Sequence, residues 1–273
     1  MTVRIVTWNL WWRFGPWEQR RLAIEETLRA ANADVICLQE VWAAEEGPDQ
    51  VEELATALGM EFVRTPAAFW KGYSFGNAIL SRWPILAGEH LQLPNKSGGP
   101  GHRSLVAASI AAPFGALPVV CTHTDFAFDQ SSLRVSQVGE VARFCHDFRG
   151  DPETSFPLVL CGDLNAVPDS DEIRMLTGRS APAIEGLVFQ DCWELCGEGP
   201  GHTWSSRNPN LADATWPNRR IDYVCVSWPR PKGLGKPIRA ELFGTVPVDG
   251  VMPSDHYGVM VDLRTTFSEQ ASR

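Results

Sequence analysis

The chain has 273 residues, 44% hydrophobic and 21% charged, with 24 Lys plus Arg against 33 Asp plus Glu and a formal net charge of -9. That composition supplies a sizeable core but not the broad basic face of a protein that grips long nucleic acid by charge, and Lys71, Lys96, Lys232 and Lys236 are its only lysines. No run approaches the about 18 apolar residues of a membrane span, the opening MTVRIVTWNL reads as a strand and not a leader, and 7 cysteines without a CxxC pair suggest buried thiols in a reduced, cytoplasmic protein.

In chain order, a strand is expected over Arg4–Leu10, followed by a helix over 18–31 with Ile24, Leu28 and Ala31 inward. A second strand, Asp34–Leu38, runs directly into Gln39 and Glu40. The stretch DQVEELATALG is a helix with Asp49 and Glu52 at its start, Val51, Leu54, Ala55 and Leu58 on one face, and Gly59 as its stop. Strands follow at Ala78–Ser81, Leu105–Ile110 and Val119–Thr122. A helix over 132–146 turns Val135, Val138, Ala142 and Cys145 inward. Next come a strand at Leu158–Cys161, a short helix in DSDEIRMLTG, and strands at Ile221–Ser227 and Gly258–Leu263. Loops rich in Gly, Pro, Asn and Ser fall at 94–101, 149–157, 196–210 and 229–237. Strands outnumber helices and do not alternate strictly with them, which points to two packed sheets with helices outside and to one domain over 1–273.

Several of these strands end in polar groups of one kind. The run VLCGDLN delivers Asp163 and Asn165, two residues apart and therefore on one side of an extended chain. Asn9, Glu40, His123, Asp222, and the pair Asp255 and His256 arrive at other strand ends in the same way. Taken singly, an Asn there satisfies a turn and an Asp caps a helix; their recurrence is what marks a site. Asn77 and Arg103 are secondary candidates, with a turn and a surface charge as their ordinary fates. His102, His146 and His202 are expected on the surface or in loops. The crowded aromatics Phe69, Trp70, Tyr73 and Phe75 either pack on their own sheet, stack on a base or dip into a lipid surface.

TWNL, LQEVW, GNAILSRWPI, THTDF, GDLNAVPDS, RRIDYVCVS and SDHYGVMV, from Thr7 to about Val261, resemble in their order the endonuclease/exonuclease/phosphatase superfamily, which includes deoxyribonuclease I, exonuclease III and neutral sphingomyelinases. The resemblance implies an α/β fold, a four-layer α-β-β-α sandwich of two mostly antiparallel sheets (deoxyribonuclease I-like), with the site at one edge. It implies Glu40 as the principal metal ligand, with Asn9 and Asp255 beside it, and Mg2+ as the ion, Mn2+ being a possible substitute. Asp222 and His256 would form a pair, Asp163 and His256 compete for the role of general base, and Asn165 and His123 would donate hydrogen bonds to the phosphate, with protonation of the leaving group as His123's other role. The implied activity is a metal-dependent phosphoesterase. Acidity argues against long DNA more than against short or single-stranded nucleic acid or a small phosphoester, and neither stable membrane insertion nor a protein partner is implied. The alternative is a catalytically inactive member acting as a protein-binding module; the mark of that, loss of Glu40, Asp163 or His256, is missing.

Overall fold

The computed structural model describes residues 1–228 and 233–267. Among these the strands form two six-stranded sheets. In the first, the order is β11 (Pro237–Phe243), β12 (Gly258–Arg264), β1 (Thr2–Asn9), β2 (Val35–Val41), β4 (Gly76–Ser81) and β3 (Glu61–Arg64). In the second it is β5 (Ile85–Pro94), β6 (Pro100–Ala112), β7 (Gly115–His123), β8 (Val159–Asp163), β10 (Asp222–Trp228) and β9 (Val188–Asp191). Only the β1–β2 and β7–β8 pairings among these are parallel, so the sheets are mixed and mostly antiparallel.

Strand periodicity decides what lies between the sheets. Val3 and Ile5 of β1, Val119 and Cys121 of β7, Val159 and Cys161 of β8, and Val224 and Val226 of β10 share one core cluster with Val35 and Cys37 of β2. The alternate residues face the helices. Val6, Trp8, Ile36 and Leu38 pack with Ile24 and Leu28 of α1 (Trp17–Ala31) and with Val51 and Leu54 of α2 (Gln50–Leu58). Leu105, Val120, Leu160 and Cys225 pack with Val138 and Val141 of α3 (Ser131–Phe148) and Ile173 of α4 (Asp171–Leu176). Helices, sheet, sheet and helices therefore stack as layers around three apolar cores. Asp49 caps α2 by accepting from the Val51 and Glu52 amides, and Gly59 ends it in the left-handed conformation that glycine takes at no steric cost. Among the described residues no helix is long and apolar enough to cross a membrane, and all 7 cysteines are free.

The long buried strands fall where the sequence puts them, five of them to within two residues at either end, while β2 runs on to Val41 and β6 and β7 begin earlier, at Pro100 and Gly115. β3, β5, β9, β11 and a short helix, α5 (Cys192–Cys196), are additional. The 94–101 stretch is the turn of the β5–β6 hairpin, with Pro94 opposite Pro100. Of the loop expected at 229–237, residues 229–232 lie outside the described ones and Pro237 opens β11.

Candidate active site

The face of each strand that builds the inter-sheet core turns polar at one end. On β1 the inward line Val3, Ile5, Thr7 ends at Asn9, on β7 it ends at His123, and on β8 at Asp163; β10 starts the same line with Asp222. Ladder register aligns them, since His123 lies opposite Asp163 and Asp163 opposite Asp222. Gly162 is what allows β8 to lie there: a Cβ at this position would be driven into the Thr122 carbonyl of β7. Glu40 breaks the alternation. By period two it would follow Leu38 toward the helices, but the β2–β4 pairing shifts register between Gln39 and Val41 and Glu40 adopts φ +57°. This bulge turns its carboxylate into the cleft.

The cleft holds about 440 Å3 and is lined by Asn9, Glu40, His123, Asp163, Asn165, Asp255 and His256, together with Arg103 and Arg219. Asp222 lies behind His256, its Oδ2 2.9 Å from the ring Nδ1, which leaves Nε2 facing the cleft. Asp163 is held from several sides. Its Oδ2 accepts from Asn9 Nδ2 at 3.0 Å, its Oδ1 accepts from the Asn165 amide at 2.9 Å, and His123 Nε2 stands 3.4 Å away. Asn165, at φ +49°, also places Nδ2 3.1 Å from His123 Nε2. The Asp163 Oδ2 to His256 Nε2 gap is 3.9 Å, too long for a hydrogen bond. Asp255 and His256 are fixed by backbone bonds. Asn208 Nδ2 donates to the Ser254 and Asp255 carbonyls, Trp8 Nε1 donates to that of His256, and Ser254 Oγ donates to the Asn9 carbonyl at 2.7 Å. The sequence candidates named as site residues are thus brought together.

The charges separate the roles available to each group. Burial and the neighbouring Asp255 carboxylate push the Glu40 carboxyl up to about 7, against the pull of Arg103, His256 and Asn9. Asp255 is likewise raised, chiefly by burial, and burial and Asp222 raise Asp163. The two histidines diverge. Burial opposes the charged form of His256, but Asp222, Asp255 and Asp163 outweigh it and hold the ring well above its ordinary range. Burial, Arg103 and His256 hold His123 well below it.

Which residues suit a cation follows from unmet bonding. Glu40 Oε2 and Asp222 Oδ1 are buried without a hydrogen-bond partner. Asp163, Asp222 and His256 bring ligand atoms within 4.8 Å of one another, but both Asp163 oxygens already accept from Asn9 and the Asn165 amide, and Asp222 Oδ2 is engaged with His256 Nδ1. Glu40, with its unpartnered oxygen and an acidic neighbour in Asp255, fits a hard divalent ion better. Asn9 contributes less freely, since its Oδ1 already accepts from the Trp11 amide.

Two basic residues correct the sequence reading. Arg103 is no surface charge: its Nη1 lies 2.9 Å from both ring nitrogens of His123. Arg219 lines the cleft while its neighbour Arg220 turns away to Asp191 at 2.6 Å; the alternation within RRIDY carried that signal. Asn77 does not serve a turn, for its Nδ2 crosses between the sheets to the Ser104 carbonyl at 2.8 Å.

The family model described as the Endonuclease/Exonuclease/phosphatase family matches residues 6–256. An endonuclease/exonuclease/phosphatase protein from Beutenbergia cavernae DSM 12333 superposes with a TM-score of 0.71 at 27% identity, over 96% of this chain and 71% of that one. D. rerio TDP2 complexed with single strand DNA product gives 0.76 at 19% identity over 96% and 99%, a likeness of fold alone. The uncharacterized protein YbhP of Escherichia coli (strain K12) is 28% identical over 177 residues, 59% of this chain, and the chain spans 66% of the length of that curated relative. With the motif strands, the two-sheet sandwich and the extent of these matches in agreement, the chain belongs to the endonuclease/exonuclease/phosphatase family.

Proposed function

We propose that residues 1–273 act as one catalytic domain, a Mg2+-dependent phosphodiesterase that cleaves a P–O bond by in-line attack of water, with Mn2+ as a substitute ion. The observation that carries this reading is a buried Glu40 carboxylate oxygen without a partner, in the same cleft as two fixed histidines and Asp163. Glu40 would hold the ion, with Asp255 and Asn9 adjacent. When bound, such an ion polarises a non-bridging phosphate oxygen and stabilises the leaving oxygen.

The residues themselves divide the remaining work. Asp222 fixes the His256 tautomer, so that Nε2 points at the phosphate and donates to one of its oxygens. Asp163, oriented by Asn9 and the Asn165 amide, takes a proton from the attacking water. The new bond joins that oxygen to phosphorus, the opposite P–O bond breaks with its electron pair on the leaving oxygen, and the alkoxide takes a proton from solvent water and departs as the alcohol. Arg103, Asn165 and His123 surround the phosphate edge where charge accumulates.

The test is hydrolysis of bis(p-nitrophenyl) phosphate with Mg2+ or with chelator. Chelator should abolish turnover, and Glu40→Ala should abolish both turnover and calorimetric Mg2+ binding. Asp163→Asn and His256→Ala should each lower kcat by about 100-fold or more, with unchanged circular dichroism. Wild-type rates in these variants would place the chemistry elsewhere, and hydrolysis indifferent to chelator would refute metal dependence.

A further inference from the structure

Beside the catalytic cleft runs a second concavity of about 820 Å3, and Phe14 and Phe75 line both. Its aliphatic lining comes from Pro66, Ala67, Ala68 and Leu91, and further rings come from Trp12, Trp70 and Tyr73. No Lys or Arg lines it. None of the buried polar atoms without a partner belongs to a lining residue. Thr65, His90, Gln92, His102 and Ser104 give it a polar side, but the lining is mainly apolar, so a group entering this groove gains chiefly by leaving water. Trp70 is 68% exposed, so its ring still has apolar area for a ligand to cover.

These features discriminate among substituents on the phosphate. A polynucleotide would carry further phosphates into a groove lined by no Lys or Arg, whose basic groups are His90 and His102 with Lys71 at its outer end over Trp70. A single base wants a free ring face to stack on, with partners for its edge. Trp12 is engaged with Phe14 at 59° and with Tyr73 at 88°, and the outer ring, Trp70, carries the Lys71 ammonium 4.4 Å from its centroid. Across the cleft Phe128 and Trp216 stack on each other at 3.9 Å. Phe75 joins groove to chemistry, tilting against His123 at 6.0 Å with the Arg103 guanidinium 5.6 Å from its centroid.

We propose that this groove is the subsite for one alkyl chain attached to the reacting phosphate, and that the substrate is a single-chain alkyl phosphodiester taken up as a monomer. The proposal rests on the phosphodiesterase reading for its catalytic half only. The chain runs from the phosphate past Phe75 and Phe14 toward Trp70. A net charge of -9 gives an anionic bilayer no attraction, which favours a dispersed molecule over a membrane surface as the source.

Binding and turnover test the two halves separately. The Mg2+-loaded protein is titrated by calorimetry with n-alkylphosphonates from C2 to C10, whose P–C bond resists hydrolysis, below their aggregation threshold. Affinity should rise about two- to fourfold per methylene. In Ala68→Trp, which fills the groove, and in Trp70→Ala, which removes a wall, that slope should flatten; both positions are exposed, and both variants should keep the parental circular dichroism and melting temperature. An affinity independent of chain length, or a slope unchanged in both variants, overturns the groove assignment. So does engagement of phosphatidylcholine vesicles without that of monomers, or displacement of the C10 phosphonate by an oligothymidylate at equal concentration. If no diester is hydrolysed, the phosphodiesterase reading fails while the titration still decides the groove.

Discussion

Arg20 shows how a single side chain sets the site. It is fully buried, and its guanidinium donates to the carbonyls of Leu10, Trp11, Trp12, Phe14 and Pro253. It thereby ties the loop after Asn9 to the segment that carries Asp255 and His256. Burial lowers its pKa to about 10, with Asp255 and Glu40 opposing, so it stays charged at neutral pH. Arg20→Met keeps much of the volume but strands five carbonyls; urea unfolding should show a loss of about 3–5 kcal/mol. The sequence held a clue, because Arg20 falls on the same stripe as Ile24, Leu28 and Ala31. A charged residue in an apolar stripe defaults to solvent unless its acceptors are known, and those come from loops whose shape no periodicity reports. Arg103, a secondary candidate in the sequence, finds its partner His123 on the neighbouring strand β7, a pairing that only the register of the sheet reveals. His123 carries a second expectation: held below its ordinary range, the ring should be neutral at about pH 6, near its unfolded pKa of about 6.5. Nitrogen-15 shifts of the ring would show this, and an imidazolium pattern there would contradict the geometry. The sign for stability follows: the unfolded chain binds the proton first, so this histidine's contribution is present above about pH 6.5 and declines as pH falls.

At the scale of elements, what the sequence revealed depended on two-sided burial. β1, β2, β7, β8 and β10 are buried along nearly their whole lengths, and their apolar runs are unmistakable. β5 is exposed over most of its length, while β3 and β9 have 4 residues each; none carries a pattern strong enough to identify without its partner. The bulge at Glu40 was equally invisible, since QE reads as a plain continuation of the strand. Gly162 interrupts the apolar run of β8, and its purpose is close approach of the β7 backbone. Gly162→Ala should part β7 from β8 where His123 and Asp163 are aligned. A cost of about 3 kcal/mol or more, measured by thermal melting, is expected together with reduced turnover; a variant as stable as the parent would show that the strands can yield.

For the whole molecule, the decisive feature is that the site belongs to neither sheet. Asn9 and Glu40 come from the first, His123, Asp163 and Asp222 from the second, and Asp255 and His256 precede the strand that returns to the first. Links such as Gln39 Nε2 to Cys121 Sγ at 3.1 Å, and Asn77 to Ser104, hold the two in alignment beneath the chemistry. The net charge of -9 acts at this scale too. Binding of a single-stranded or duplex oligonucleotide, followed by fluorescence anisotropy, should be no tighter than the about 10 µM typical of non-specific contacts at physiological salt; tight association with a steep salt dependence would reveal a cationic track. The return of β12 has a consequence for synthesis. β1, made first, keeps an open flank until β12, nearly 250 residues later, pairs with Thr2–Thr7. A nascent chain stalled before Gly258 would therefore present an unpaired apolar edge, a place for chaperones to bind, and enzymatic competence would appear only once β12 has cleared the ribosome.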